Sequence, residues 1–130
     1  MAPYAVDRVW GVYLISVFGI IHEKFWVALA PSGDNWHGVF INSELSQFDA
    51  RNPSIMASTH TLSEAGYAFL SHDSYFSATE HVVVPEADLA QIAPVGIVRP
   101  ADRPNCIQAI EASETLKIRV RDNMLAYLMR

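Results

Sequence analysis

The stretch KFWVALAPSGDNWHGVFIN, residues 24–42, decides the fold class. It contains two apolar runs rich in Val, Ile, Phe and Trp, which favour β-strands. Between them lies PSGDN, residues 31–35, in which Pro presets φ and Gly and Asn tolerate positive φ. We therefore predict strands over 24–30 and 36–42, joined as a hairpin through a loop of about five residues.

An uncharged run upstream, VWGVYLISVFGII at 9–21, predicts a further strand over 10–17 with a turn near Gly19 and His22. Its 13 residues are too few for a membrane helix, which needs about 20. Charged residues follow the run where a signal peptide would have a small-residue cleavage site. We therefore expect no membrane segment and a cytoplasmic protein.

Downstream of the hairpin the chain turns polar and then becomes helical. Pro85 and the acids after it predict a short helix, and Asn105-x-x-Gln108 resembles a capping box that opens another. Many strands followed by helices indicate an α+β fold, a curled antiparallel sheet with helices on one side. The expected elements are a long loop over 43–54, a short strand over 55–57, loop or one helical turn over 59–66, a strand over 80–84, a helix over 86–92, and a mostly helical C-terminal stretch broken near Ser113.

Composition narrows the classes of protein further. The 130 residues suit one domain, 1–130, and an apolar share of 51% is too high for a disordered chain. A single cysteine excludes an intrachain disulfide and any Cys-x-x-Cys motif. Nine Lys+Arg against fourteen Asp+Glu give a net charge of −5, so RNA binding would need a local basic patch.

The five histidines do not form a metal-binding pattern. None pairs at i, i+4 on a predicted helix, and no His-Glu-x-x-His motif occurs. We expect neither a metal nor a cofactor. The histidines are His22, His37, His60, His72 and His81.

Several residues are candidates for a site on chemical grounds. His72 could transfer protons and Asp73 could fix its tautomer, although Asp73 could equally bond backbone amides in a turn. Trp36, at the hairpin mouth, could stack on a base or a partner, or belong to the core. His22 and Tyr75 are further candidates for substrate binding.

Local phrases over about residues 9–98 resemble, in their order and spacing, the PemK/MazF family of toxins from toxin–antitoxin pairs. The phrases are Gly11-Val12-Tyr13-Leu14-Ile15, Lys24-Phe25-Trp26-Val27-Ala28-Leu29, Val39-Phe40-Ile41-Asn42-Ser43, His72-Asp73-Ser74-Tyr75 followed by Glu80-His81-Val82-Val83-Val84 and Asp88-Leu89, and Pro94-Val95-Gly96. The resemblance implies an SH3-like β-barrel with C-terminal helices, a homodimer, and an antitoxin protein as partner.

The resemblance also implies an activity, the metal-independent cleavage of single-stranded RNA to a 2′,3′-cyclic phosphate and a 5′-hydroxyl. The family uses an Arg at the start of the second strand and a Thr or Ser at the end of the third. Lys24 and Ser43 match those positions. Ser43 fits the pattern, whereas Lys24 replaces the Arg and Phe25 the usual Pro. A lysine supplies the charge but not the two-pronged hydrogen bonding of a guanidinium.

Two other functions remain open at this stage. A noncatalytic SH3-like barrel could bind a protein partner, because a fold does not fix a function. An apolar surface could instead pair the chain with itself as a structural homodimer. In both cases Lys24 would be a solvated strand end and Ser43 a turn cap.

Overall fold

The computed structural model describes residues 7–16 and 23–130. Its sheet has the strand order β4-β5-β3-β2-β1-β6, all neighbours are antiparallel, and it curls into a half-barrel. The predicted α+β class, a curled antiparallel sheet with C-terminal helices, is confirmed. The elements are β1 (Gly11–Ile15), β2 (Lys24–Ser32), β3 (Asn35–Asn42), α1 (Gln47–Ala50), α2 (Pro53–Ala57), β4 (Thr59–Leu62), a 3-10 turn (Glu64–Gly66), β5 (Ser74–Pro85), α3 (Glu86–Leu89), β6 (Gly96–Ile97), α4 (Arg103–Ala112) and α5 (Ile118–Leu128).

The hairpin of β2 and β3 is tighter than its sequence suggests. Pro31 and Ser32 continue β2 opposite Trp36 and Asn35, so only two residues form the turn. The first of them, Gly33, has a φ of +59°, a left-handed conformation that favours glycine. The predicted five-residue loop was therefore wrong.

Both faces of the sheet are apolar, which explains the almost uninterrupted apolar runs in β2 and β3. Side chains alternate between the faces along each strand. One face, here called the outer face, packs against α4 and α5 and includes Val27 and Val39, which lie in one cluster with Met124 of α5. The opposite face, here called the inner face, holds a second core around Tyr13, Trp26, Trp36, Phe40 and Leu89.

The side chain of Trp26 fills the centre of the inner face. Its fully buried indole lies against Gly38 on β3, where a Cβ atom would overlap both the indole and the Val27 carbonyl. The indole Nε1 donates to the Val82 carbonyl of β5 at 3.1 Å. Trp26 thus connects β2 to β5 across β3 and holds the sheet in its curl.

The strand expected over 55–57 was wrong, because capping residues upstream start a helix there. The Asn52 side chain accepts hydrogen bonds from the Ser54 and Ile55 amides, and Pro53 occupies the first turn of α2. The Ser46 hydroxyl caps α1 in the same way, inside the segment expected to be loop. Local caps outweigh the apolar character of 55–57.

Strand β5 is longer than predicted and is bulged. It pairs with β3 over its length and with β4 at Ser74–Ser77, and its register with β3 shifts between Val39 and Phe40. In the segment 59–66, expected as loop or one helical turn, β4 occupies the first half, and the 3-10 turn at Glu64–Gly66 agrees with the expectation. The expected turn near Gly19 and His22 lies outside the described residues.

The C-terminal stretch after β6 is mostly helical, as predicted. The break at Ser113 is confirmed, α3 ends at Leu89 rather than residue 92, and the last helix begins at Ile118. The longest helix of the described residues has 11 residues. No helix in the described ranges is long and apolar enough to cross a bilayer.

A charged clamp ties the segment before β1 to α3. The Arg8 guanidinium donates from Nε and Nη2 to the two Glu86 carboxylate oxygens at 2.5 and 2.6 Å. Trp36 Nε1 donates to the same carboxylate at 3.2 Å. The Arg8 hydrogen bonds outweigh desolvation and hold the pKa of Glu86 below its usual range. The pair thus links the segment before β1 to Trp36 and to the start of α3.

We predict that Gly38→Ala destabilises the protein by about 3 kcal/mol, because the added methyl group displaces the Trp26 indole. Urea denaturation followed by tryptophan fluorescence measures the change. Gly33→Ala is the control: nothing lies within 4 Å of its Cβ position, so only the φ penalty of about 1 kcal/mol applies. Equal losses in the two variants would contradict the role given to Gly38.

Candidate functional site

The antiparallel pairing of β2, β3 and β5 brings the start of β2, the end of β3 and the segment before β5 to one edge of the sheet, here called the rim of the half-barrel. A pocket of about 280 Å³, here called the rim pocket, lies between them. Three residues singled out from the sequence line it: Lys24, Ser43 and His72. They come from three separate stretches of the chain. Glu23, Phe25 and Phe69 also line the pocket.

The Lys24 ammonium is held by neutral groups. Its Nζ donates to Asn42 Oδ1 at 2.8 Å and lies 4.7 Å from the centre of the Phe40 ring. These partners belong to the inner face, whereas Phe25, next along β2, points to the opposite face. Among the described residues no carboxylate lies within 4 Å of Lys24. The positive charge at the rim is therefore not neutralised by an ion pair there.

His72 and Asp73 do not form the hypothesised pair of side chains. The His72 ring bonds the Asp73 backbone carbonyl through Nδ1 at 2.9 Å, while the Asp73 carboxylate accepts from the Glu64 amide. A carbonyl only accepts, so Nδ1 carries the proton and Nε2 keeps its lone pair. Asp73 therefore stabilises the 3-10 turn, the alternative considered from the sequence, and the backbone sets the tautomer of His72.

Trp36 does not serve as a stacking platform. The side chain is 3% exposed, bonds Glu86, and packs edge-on against Tyr127 with ring centres 6.0 Å apart. The stacking hypothesis was wrong because the curl encloses the hairpin mouth. Tyr75 is half-buried opposite Asn42 and lies outside the lining of the rim pocket. His22, the remaining candidate, lies outside the described residues.

An aromatic ladder forms one wall of the rim pocket and was missed in the sequence. The ring centres of Phe25 and Phe69 are 5.0 Å apart, and those of Phe69 and Tyr67 are 5.6 Å apart. A Cβ atom at Gly96 would lie 2.9 Å from the Phe69 ring, so the glycine makes room for it. Two aromatic residues alternate with a small one in Tyr67-Ala68-Phe69, and this was the available signal in the sequence. Nothing in this loop indicated that it would pack beside Phe25 of β2.

A hydrogen-bond network behind the ladder fixes Tyr67. Asp102 accepts from the Tyr67 hydroxyl at 2.5 Å and bonds His60 Nε2 at 2.9 Å, and the Tyr67 oxygen accepts from the Arg99 amide. Burial opposes ionisation of Asp102, but these hydrogen bonds outweigh it and hold its pKa below the usual value. Burial and the bond to Asp102 raise the pKa of Tyr67 well above its usual range. The network therefore holds the Asp102 carboxylate in a hydrogen bond with the neutral Tyr67 phenol.

Two histidines, His37 and His81, lie side by side on the outer face of the sheet. The rings of His37 and His81 have centres 5.3 Å apart, and His37 Nδ1 is buried without a hydrogen-bond partner in the described part of the chain. Burial lowers the pKa of both rings; for His81 the nearby Lys117 adds to the effect and Glu80 opposes it. No group of three or more His, Cys, Asp or Glu that could hold a metal ion occurs within 7–16 and 23–130.

The chain matches no known protein-family model, and no curated protein matches it significantly. The functional argument therefore rests on the side chains of the rim pocket.

We predict that Tyr67→Phe destabilises the fold by about 1–2 kcal/mol, because it leaves Asp102 and the Arg99 amide each short of a partner. Chemical denaturation at pH 7.5 measures the loss. Tyr75→Phe is the matched control, because no hydrogen bond joins the Tyr75 hydroxyl to a described residue, and its effect should stay within about 0.5 kcal/mol. A Tyr67→Phe variant as stable as the control would show that the network does not matter.

Acid should destabilise the protein through His37 and His81. Folding lowers both pKa values from the ordinary 6.5, so the unfolded chain takes up protons first as the pH falls. The stabilisation is complete above about pH 6.5 and is lost as the pH falls through the folded values. The wild-type urea midpoint should drop between pH 7.5 and 5.5, and the double variant His37→Gln/His81→Gln should drop less. An unchanged pH dependence in the double variant would exclude this pair as the cause.

Proposed function

We propose that the rim pocket binds single-stranded RNA and that the chain is a PemK/MazF-like, metal-independent endoribonuclease. One observation carries the proposal: Lys24, Ser43 and His72 line one pocket, although they are separated along the chain. A cation, a hydroxyl and an imidazole are the groups that RNA cleavage without a metal requires. A homodimer and an antitoxin partner belong to the proposal because the family resemblance implies them.

In the proposed step the ribose 2′-oxygen attacks the neighbouring phosphorus and the bond from phosphorus to the 5′-oxygen breaks. The products are a 2′,3′-cyclic phosphate and a 5′-hydroxyl. His72 Nε2 takes the proton of the 2′-hydroxyl, since its lone pair is free when Nδ1 donates to Asp73. The leaving 5′-oxygen receives a proton from water. The Ser43 hydroxyl donates to a phosphate oxygen.

Lys24 stabilises the negative charge that builds up on the phosphate oxygens. To reach a phosphate in the rim pocket, the Lys24 ammonium leaves Asn42 and Phe40 on the inner face and turns around the strand end to the face of Phe25. It then exchanges a neutral hydrogen bond for a charged one. The local charge also answers the objection raised by the net charge of −5, because the Lys24 charge is not cancelled by a neighbouring carboxylate of the described chain. Because this cation neutralises one phosphate, binding should weaken with a shallow slope as the salt concentration rises.

A second candidate function, a noncatalytic protein-binding module, is favoured by a separate observation. A groove of about 390 Å³ on the open side of the half-barrel is lined by Leu14, Val83 and Ile92. These three side chains are 39–42% exposed. Exposed apolar side chains that cluster in a groove are typical of protein interfaces. The groove shares no lining residue with the rim pocket, so the two functions can be tested separately.

Cleavage of a mixed-sequence RNA in EDTA, with the new ends mapped, tests the nuclease. We expect cuts with cyclic-phosphate ends, and a loss of about a hundredfold or more in Ser43→Ala, Lys24→Ala and His72→Gln. Lys117→Ala, a cation on the outer face, is the control and should cut at the wild-type rate. Lys24→Arg should retain activity because it keeps the charge.

The nuclease proposal would be overturned by wild-type protein that makes no cuts above a mock preparation across salt and pH. Cuts that persist in all three pocket variants would place the chemistry elsewhere. In the first case Leu14→Glu, which charges the apolar groove, becomes the variant with which to examine protein binding.

A further inference from the structure

The size of the rim pocket limits what it can hold. Its volume of about 280 Å³ lies at the lower end of the range for small-molecule pockets. That space accommodates one nucleobase with its sugar or phosphate at the mouth, but not a folded partner. An RNA bound there would place a single unpaired base inside.

The pocket offers such a base an apolar platform. Phe25 and Phe69 are both half-buried, so each ring keeps part of its surface toward the pocket. The two rings are tilted by 59° with their centres 5.0 Å apart, so they present two differently inclined apolar surfaces. Stacking on aromatic side chains is the general way in which proteins hold single-stranded bases.

The platform is rigid before any ligand arrives. Phe69 is confined between Tyr67, Phe25 and the backbone at Gly96. Tyr67 is fixed in turn by its hydroxyl bond to Asp102. A site held in this way loses little freedom on binding and can therefore discriminate between ligands.

Glu23 is the unexpected member of the lining. A carboxylate repels phosphate, so it works against RNA binding unless it bonds a base. Glu23 is exposed and forms no ion pair with a described residue. Its two oxygens only accept hydrogen bonds.

Among the four bases, guanine presents two adjacent donors, N1–H and the N2 amino group, on its pairing edge. They match the two oxygens of a carboxylate as a bidentate pair. Adenine and cytosine place an acceptor nitrogen beside their amino group, and uracil offers one N–H between two carbonyls. A carboxylate therefore favours guanine and disfavours the other three.

We propose that the rim pocket is a subsite for one unpaired guanine, stacked on the Phe25–Phe69 pair and recognised by Glu23. The inference rests on the proposed function, since it names the base that the RNA substrate places in the same pocket. Glu23 and Phe69 are then specificity-determining residues, while Lys24, Ser43 and His72 act on the phosphate and ribose.

Titration of the four 3′-nucleoside monophosphates by calorimetry or NMR tests the subsite without requiring cleavage. We expect guanosine monophosphate to bind at least about tenfold more tightly than the other three. Glu23→Gln should abolish this preference, because an amide cannot accept both donors. Phe69→Leu should weaken all four nucleotides. Glu111→Gln, an exposed carboxylate on α4, is the matched control and should leave the preference intact.

A purely electrostatic effect of Glu23 and a direct hydrogen bond to the base predict different changes in nucleotide binding. If Glu23 acted only as a charge, its removal would strengthen the binding of all four nucleotides equally and leave their order unchanged. That result, a wild-type preference for another base, equal binding of the four, or no binding at millimolar concentration would each overturn the guanine subsite. Guanine-selective binding without RNA cleavage would overturn the proposed function and leave the subsite standing.

Discussion

The packing of the Trp26 indole on Gly38 is the constraint on which the rest of the structure depends. Only a residue without a side chain lets the indole cross β3 and reach the Val82 carbonyl on β5. Three strands are thereby held in one curl. The pairing of β2 with β3, to which this contact belongs, also sets Lys24 beside Asn42 and Ser43 at the edge of the rim pocket. The inner core and the candidate site both depend on this pairing.

Residues of the site that lie at strand ends could be predicted from the sequence. Residues whose exposure or neighbours are set by the tertiary structure could not. Lys24 begins β2 and Ser43 directly follows β3, as predicted, and the antiparallel pairing of the two strands brings them together. Trp36 has the same local pattern as an exposed aromatic, yet the curl buries it. Glu23 and Phe69 could not be found, because their shared pocket exists only after residues about 46 positions apart meet (69 − 23 = 46).

Fold prediction succeeded where patterns are periodic and failed where caps or bulges decide. The apolar alternation gave β2 and β3, and the break at Ser113 was visible in the sequence. The helix at Pro53–Ala57 was missed although Asn52 and Pro53 carry the capping signal, because three apolar residues suggested a strand. The polar bulge in Ser74–Pro85 hid the continuity of the longest strand. In such segments the local signals for helix, strand and loop coincide. Pairing with strands distant in sequence then determines which structure forms.

The Arg8–Glu86 clamp has a consequence for the lifetime of the native state. It joins residues 78 positions apart, and closing so long a loop is entropically unfavourable until the intervening strands have assembled. We expect a contact formed that late to be absent from the folding transition state. Such contacts slow unfolding without accelerating folding. The pair therefore contributes to kinetic stability, and it sets how long the half-barrel persists more than how quickly it is reached.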